Sequence, residues 1–136
     1  MIDPSAVVAG TVKVGHGTFI GPGTVLEPRV CLGNYCAMLG NVYIAHNSHC
    51  ANYVVCANSV SIAGGVSVGE ASFIGSNATV REYTHIGAHA VVGVGSVVLS
   101  DVADGCVVVG NPARASDKYR VNKDSQDGSV GKAEIT

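Results

Sequence analysis

Tyr43 to Val68, YIAHNSHCANYVVCANSVSIAGGVSV, carries an aliphatic residue or a cysteine at every sixth place: Ile44, Cys50, Cys56, Ile62 and Val68. Neither the two-residue period of an ordinary strand nor the 3.6-residue period of a helix gives such a beat. Followed outward, it runs back through Met38, Leu32, Leu26, Ile20, Val14, Val8 and Ile2. In the other direction it continues through Ile74, Val80, Ile86, Val92 and Val98. The residue after the beat is Gly at 15, 21, 33, 69, 75, 87 and 93 and Ala at 9, 45, 51, 57 and 63. Small residues there predict tight corners, where a large side chain would clash or φ must turn positive. Four residues after the beat comes a second small or β-branched residue, as in Thr18, Val30, Cys36, Val54 and Ser72.

One short strand and its turn cannot bury their own apolar face, so successive units must wrap into a stacked coil that shares one interior. Three hexads per turn place residues 18 apart in register, giving the columns Ile2, Ile20, Met38, Cys56, Ile74, Val92 and Val8, Leu26, Ile44, Ile62, Val80, Val98. The expected fold is all-β, a parallel β-helix of hexapeptide repeats forming one domain over residues 1–114. Residues 115–136 read as a short polar, mobile C-terminal tail, with a short ordered stretch near Asp117 to Val121 open as an alternative. Charge marks a change of character near Asp101: seven charged residues lie in the first hundred positions and eleven in 101–136.

The formal net charge of −2 and the absence of a basic run argue against nucleic acid or an anionic membrane as partner. Apolar residues are interleaved with Gly, Ser and Asn, so neither a leader nor a spanning segment is read, and the chain is expected in the cytoplasm. Of the five cysteines, Cys36, Cys50 and Cys56 occupy inward positions and read as core packing, and no Cys-x-x-Cys pair points to zinc or redox chemistry.

Chemistry is sought among the outward residues, and Tyr43-Ile44-Ala45-His46-Asn47-Ser48-His49 is the densest polar cluster. His46 falls two places after inward Ile44, at a corner, and Gly64 takes the equivalent place one coil later. An imidazole can take a proton from a hydroxyl or an amine as it attacks a thioester. A glycine N–H, clear of any side chain, can donate to the developing oxyanion. The plainer reading of His46 is a polar corner residue.

The hexad consensus resembles that of the hexapeptide-repeat acyltransferases. More specifically, Val42-Tyr43-Ile44-Ala45-His46-Asn47, Ile62-Ala63-Gly64-Gly65-Val66-Ser67-Val68-Gly69 and Val108-Val109-Gly110-Asn111-Pro112-Ala113-Arg114 resemble the sugar O- and N-acetyltransferases related to sialic-acid O-acetyltransferase. The resemblance implies a left-handed β-helix, a homotrimer, acetyl-coenzyme A bound between adjacent subunits, no metal and a small-molecule, sugar-type acceptor. It implies His46 as general base, aided by Asn47, with Gly64 as the oxyanion donor. The coenzyme arm would pass Gly75, Ser76, Gly93, Val94 and Gly95, with Pro112 and Arg114 near its nucleotide end.

The chain departs from that pattern in places. The residue after the base is commonly acidic, and Asn47 contributes no charge. A histidine nine residues after the base in some members is Val55 here, and the related lipid A acyltransferases carry a histidine at the place of Gly65. Many members bear an N-terminal nucleotide-binding-like domain, whereas this chain opens with Met1-Ile2-Asp3-Pro4-Ser5-Ala6, where their β-helix begins. That leaves a smaller acceptor, a partner protein, or a catalytically silent scaffold as alternatives.

Phe19, Ala37, Val55, Phe73 and Val91 form an apolar column outside the inward set, which predicts an interface. A third reading, a metalloenzyme like the γ-class carbonic anhydrases, needs two histidines five residues apart. His16, His46, His49, His85 and His89 include no such pair.

Overall fold

The computed structural model describes residues 1–117. The chain winds into a parallel β-helix of about six turns with three flat faces. The first face holds Val7–Val8, Val25–Leu26, Tyr43–Ile44, Ser61–Ile62, Thr79–Val80 and Val97–Val98. The second holds Lys13–Val14, Cys31–Leu32, His49–Cys50, Ser67–Val68 and His85–Ile86. The third holds Phe19–Ile20, Ala37–Met38, Val55–Cys56, Phe73–Ile74, Val91–Val92 and Val107–Gly110, with Ala113–Ala115 added antiparallel at its edge. Strands pair at the expected offset of 18, as in Ser61 with Thr79 and Ile62 with Val80.

The inward beat is the core. Ile20, Leu26, Met38, Ile44, Ile62, Ile74 and Ile86 are fully buried, as are Cys36 and Cys56, and Cys50 is buried. Burial raises the Cys36 thiol pKa above its ordinary value; a hydrogen bond with Cys56, then burial, raises that of Cys50 further. The second inward position explains its mixture of valines with small hydroxyls. Ser48 Oγ donates to the Ala63 carbonyl at 2.8 Å and accepts the Val66 N–H at 3.1 Å. Ser72 makes the same pair of bonds with Gly87 and Ala90. These hydroxyls bridge successive coils where the corner leaves backbone groups unpaired.

Two expectations about the corners change. The glycines that follow the beat do not have positive φ. A Cβ on Gly75 would lie 2.8 Å from Val92 O and from Val94 N, so close stacking of the next coil requires glycine there. Positive φ falls two residues later, at Arg29, Tyr35, Asn47, Tyr53, Gly65, Tyr83 and Gly95 among others. The beat also does not end at Val98. After a corner two residues shorter it resumes at Val102, which bridges to Ile86, and at Val108, which pairs with Val92.

An open cavity of about 270 Å³ lies at this end, lined by residues that include Val98, Asp101, Cys106, Val108 and Arg114. No helix among the described residues is long and apolar enough to cross a membrane. Of the tail expected over 115–136, Ala115 belongs to the edge strand and the Ser116 N–H donates to Val107 O at 2.9 Å, while residues 118–136, including the stretch toward Val121, lie outside the described residues.

Candidate active site

Four corners stack along the edge where the first face turns into the second: Glu27-Pro28-Arg29, Ala45-His46-Asn47, Ala63-Gly64-Gly65 and Arg81-Glu82-Tyr83. Backbone bonds tie each to the one before. The Asn47 N–H donates to Pro28 O at 3.2 Å, the Gly65 N–H to His46 O at 3.0 Å and the Tyr83 N–H to Gly64 O at 3.0 Å. These bonds use the third residue of the last three corners and do not involve the N–H of His46 or Gly64 in the middle. That of His46 goes to Glu27 Oε1 at 3.0 Å. That of Gly64 has no acceptor among the described residues.

His46 is exposed, and its Nδ1 lies 3.1 Å from Asn47 Oδ1. An amide oxygen has no proton to give, so Nδ1 carries the hydrogen in this bond and Nε2 is the ring nitrogen left open to a ligand. Arg29 Nη2 donates to the same oxygen at 3.3 Å, which holds the Asn47 amide with its oxygen toward the ring. The imidazole lies against Gly64: a Cβ there would meet Cε1 at 3.0 Å and Nε2 at 3.1 Å. Imidazole and free N–H are thus neighbours on one edge, an arrangement suited to proton transfer beside a developing negative charge. Behind it, a hydrogen bond with Glu27 raises the Tyr43 pKa above the usual phenol value.

No family model and no curated protein matches the chain. Solved structures do. A histidine-to-asparagine mutant of perosamine N-acetyltransferase from Caulobacter crescentus, in complex with CoA and GDP-perosamine, is 31% identical over 85% of this chain, with a TM-score of 0.84. The acetyltransferase domain of PglB from Neisseria gonorrhoeae, in complex with acetyl coenzyme A, is 27% identical over 85%, with a TM-score of 0.84. WeeI from Acinetobacter baumannii is 29% identical over 85%, with a TM-score of 0.82. This chain has the left-handed β-helix of the hexapeptide-repeat sugar acetyltransferases. It spans 55%, 56% and 57% of the three neighbours' own lengths.

The β-helix separates the remaining expected residues from His46. Gly75, Ser76, Gly93, Val94 and Gly95 stack on the edge between the third and first faces, where the Gly95 N–H donates to Ser76 O at 2.8 Å. Gly75 and Gly93 are buried, whereas Val94 and Gly95 are exposed, and a Cβ on Gly95 would meet nothing within 4 Å. Gly95 therefore offers bare backbone to a ligand, while Gly75 is already accounted for by coil stacking. Pro112 and Arg114 are exposed in the terminal hairpin, Arg114 opposite Val109 and beside the end cavity. One chain brings together His46, Asn47 and Gly64, and it gathers Gly75, Gly93 and Gly95 on a second edge.

Three residues of the edge carried no expected role: Glu27, Arg29 and Tyr83. Writing the chain in rows of 18 would have set them above and below His46. Elsewhere the second face carries Cys31, His49, Ser67 and His85 outward on successive strands, with Ser67 Oγ and His85 Nδ1 2.7 Å apart. The third edge carries Tyr35 and Tyr53 stacked at 5.6 Å, beside a ladder in which the His16 N–H donates to Asn34 and the Asn34 N–H to Asn52. Among the described residues no three His, Cys, Asp or Glu side chains converge as metal ligands.

Proposed function

We propose that the chain is an acetyl-coenzyme A-dependent acetyltransferase acting on a hydroxyl or amine of a small, sugar-type acceptor. The observation that carries this reading is the His46 edge: Nδ1–H anchored on Asn47 at 3.1 Å, and the ring against a glycine whose N–H is free. His46 Nε2 takes the acceptor proton as the acceptor oxygen or nitrogen bonds to the acetyl carbon, and returns it to the sulfur as the carbon–sulfur bond breaks. Gly64 N–H holds the carbonyl oxygen while it carries negative charge. Acetyl-coenzyme A supplies the acetyl group as a thioester, its arm along Gly75, Ser76, Gly93, Val94 and Gly95 and its phosphates near Pro112 and Arg114, where the guanidinium can make charge-assisted bonds.

The base and the coenzyme-side glycines lie on different edges of one chain, which favours a site completed between copies. Of the outward column, Phe19, Ala37, Val55 and Phe73 are half-buried and apolar in a single chain, the surface expected of an interface, whereas Val91 is already buried within the chain. A closed homotrimer would cover this surface, and we place that assembly in the cytoplasm. Isothermal titration of the purified protein with acetyl-coenzyme A tests the reading together with His46→Ala. About one coenzyme bound per chain is expected, with transfer lost and binding kept in the variant. Absence of binding, or unchanged turnover in His46→Ala, overturns it.

A further inference from the structure

We propose that Glu27 is a positioning residue for the base, its carboxylate holding from the coil before the peptide that carries His46, an inference that rests on the acetyltransferase reading. The sequence sets this residue apart. From Ala9 to Gly93 the place after the inward beat is Gly or Ala except at Glu27, Leu39 and Arg81. Glu27 lies in register with Ala45, since Leu26 pairs with Ile44, and it is half-buried. Its side chain rises to the residue beyond Ala45, where Oε1 accepts the His46 N–H at 3.0 Å.

Other corner N–H groups at this middle place are held differently. Where a side chain holds them, it stands on the coil after: Asn34 Oδ1 accepts from His16 and Asn52 Oδ1 from Asn34, both at 2.8 Å, and Asp104 Oδ1 accepts from Ala88 at 2.9 Å. For His46 the coil after offers Gly64, which has no side chain. An asparagine there could hold the N–H as Asn34 does, but its Cβ would lie 3.0 Å from Cε1 of the His46 ring. A side-chain ladder and an open seat for the imidazole exclude each other on this edge, and Glu27 supplies the bond from the opposite side.

The rest of the Glu27 corner works to the same end. Pro28 O accepts the Asn47 N–H at 3.2 Å, and Arg29 Nη2 donates at 3.3 Å to Asn47 Oδ1, the atom that anchors His46 Nδ1. Backbone and ring of the base are both held from the coil before, and the Gly64 side stays clear. A hydrogen bond with Tyr43 restrains the carboxylate in turn. Without Glu27 the His46 N–H turns to water and the Ala45–His46 peptide can rock, which displaces the ring from its working position.

The test uses Glu27→Ala, Glu27→Gln and, as a control, Asn34→Ala, which removes the same kind of bond from His16 on another edge. Alanine is what the repeat carries at this place in Ala9, Ala45 and Ala63, so Glu27→Ala should keep the fold. Thiol release from acetyl-coenzyme A, with a panel of hexoses, amino sugars and nucleotide sugars as acceptors, gives kcat. Calorimetry gives the Kd of acetyl-coenzyme A, and NMR gives the exchange rate of the His46 N–H. Glu27→Ala is expected to lower kcat about tenfold with Kd unchanged. It should also speed exchange of that amide about tenfold, the protection that a bond to a charged acceptor gives. Glu27→Gln keeps an acceptor oxygen at the same reach and should restore most of both, and Asn34→Ala should leave kcat unchanged. Unchanged exchange at His46 or unchanged kcat in Glu27→Ala overturns the proposal, as does a loss that Glu27→Gln does not restore or that Asn34→Ala shares. A wild type that transfers to none of the acceptors, while exchange at His46 still responds to Glu27→Ala, overturns the transferase reading and upholds the positioning.

Discussion

Gly64→Ala separates the chemistry of the edge from its folding. The added methyl would sit 3.0 Å from His46 Cε1 and 3.1 Å from Nε2, against an ordinary contact of 3.4–4 Å, so the ring must retreat by a few tenths of an ångström. His46 is exposed and can do so, and Gly64 does not have the positive φ that would strain an alanine. The fold should therefore tolerate the change, with a Tm shift no larger than about 4 °C. Catalysis should not: a misplacement of about 1 Å costs on the order of a hundredfold, so a few tenths should lower kcat roughly tenfold. Gly75→Ala is the control. Its Cβ would meet backbone atoms of the next coil at 2.8 Å, which cannot withdraw, and the cost of such overpacking is about 1–3 kcal/mol of stability. Thiol release from acetyl-coenzyme A gives kcat, and thermal melting gives Tm. Unchanged kcat in Gly64→Ala, or a melting loss matching that of Gly75→Ala, refutes the argument.

Ser48→Ala leaves the buried Val66 N–H and the Ala63 carbonyl without their bridge, and denaturant unfolding should show a loss of about 1–3 kcal/mol. Cys36 and Cys50 have folded pKa values raised above the reference of 9.0. The folded chain therefore holds these protons more tightly, and their stabilising effect is complete below pH 9 and lost as pH rises through the folded values. Tm should be level to about pH 9 and fall beyond it, and Cys50→Val should flatten that fall. Asn47→Asp places a carboxylate between the Arg29 guanidinium and His46 Nδ1–H. A charge-assisted bond is roughly twice as strong as a neutral one, so kcat should rise severalfold, and a decrease would count against Asn47 as the group that orients the ring.

The beat was legible because burial acts alike on the inward positions from Ile20 to Val98 and repeats 18 residues later, and the observed strand pairing follows it; toward the open first coil it fades, with Val8 and Val14 half-buried and Ile2 exposed. The pairing of His46 with Gly64 on one edge could be read for the same reason, both being fixed by their offset from Ile44 and Ile62. The positive φ positions could not. Gly17, Gly23, Asn41, Asn47, Gly65, Asn77 and Gly95 suit that conformation, but Arg29, Tyr35, Ala71 and Tyr83 share the same place in the repeat and seldom adopt it, so its mark in composition is broken. Val102 and Val108 were missed because a corner lost two residues and the period broke where the composition also changed. Arg29 and Tyr83 point outward, where no burial pattern restricts residue choice, and their relation to His46 emerges only when coils are stacked.

That shortened corner has a consequence for assembly. Stacked coils behave as a one-dimensional lattice, and any exposed end can template another layer if its phase is kept. Between Ile86 and Val102 the repeat slips by two residues, and the third face closes with the reversed strand Ala113–Ala115. A second copy arriving end-on would match one face and be out of step with the others. The slip and the reversed strand act together as terminators of growth at this end, and only a chain with the two residues restored and the reversed strand removed would offer an in-phase edge to another layer.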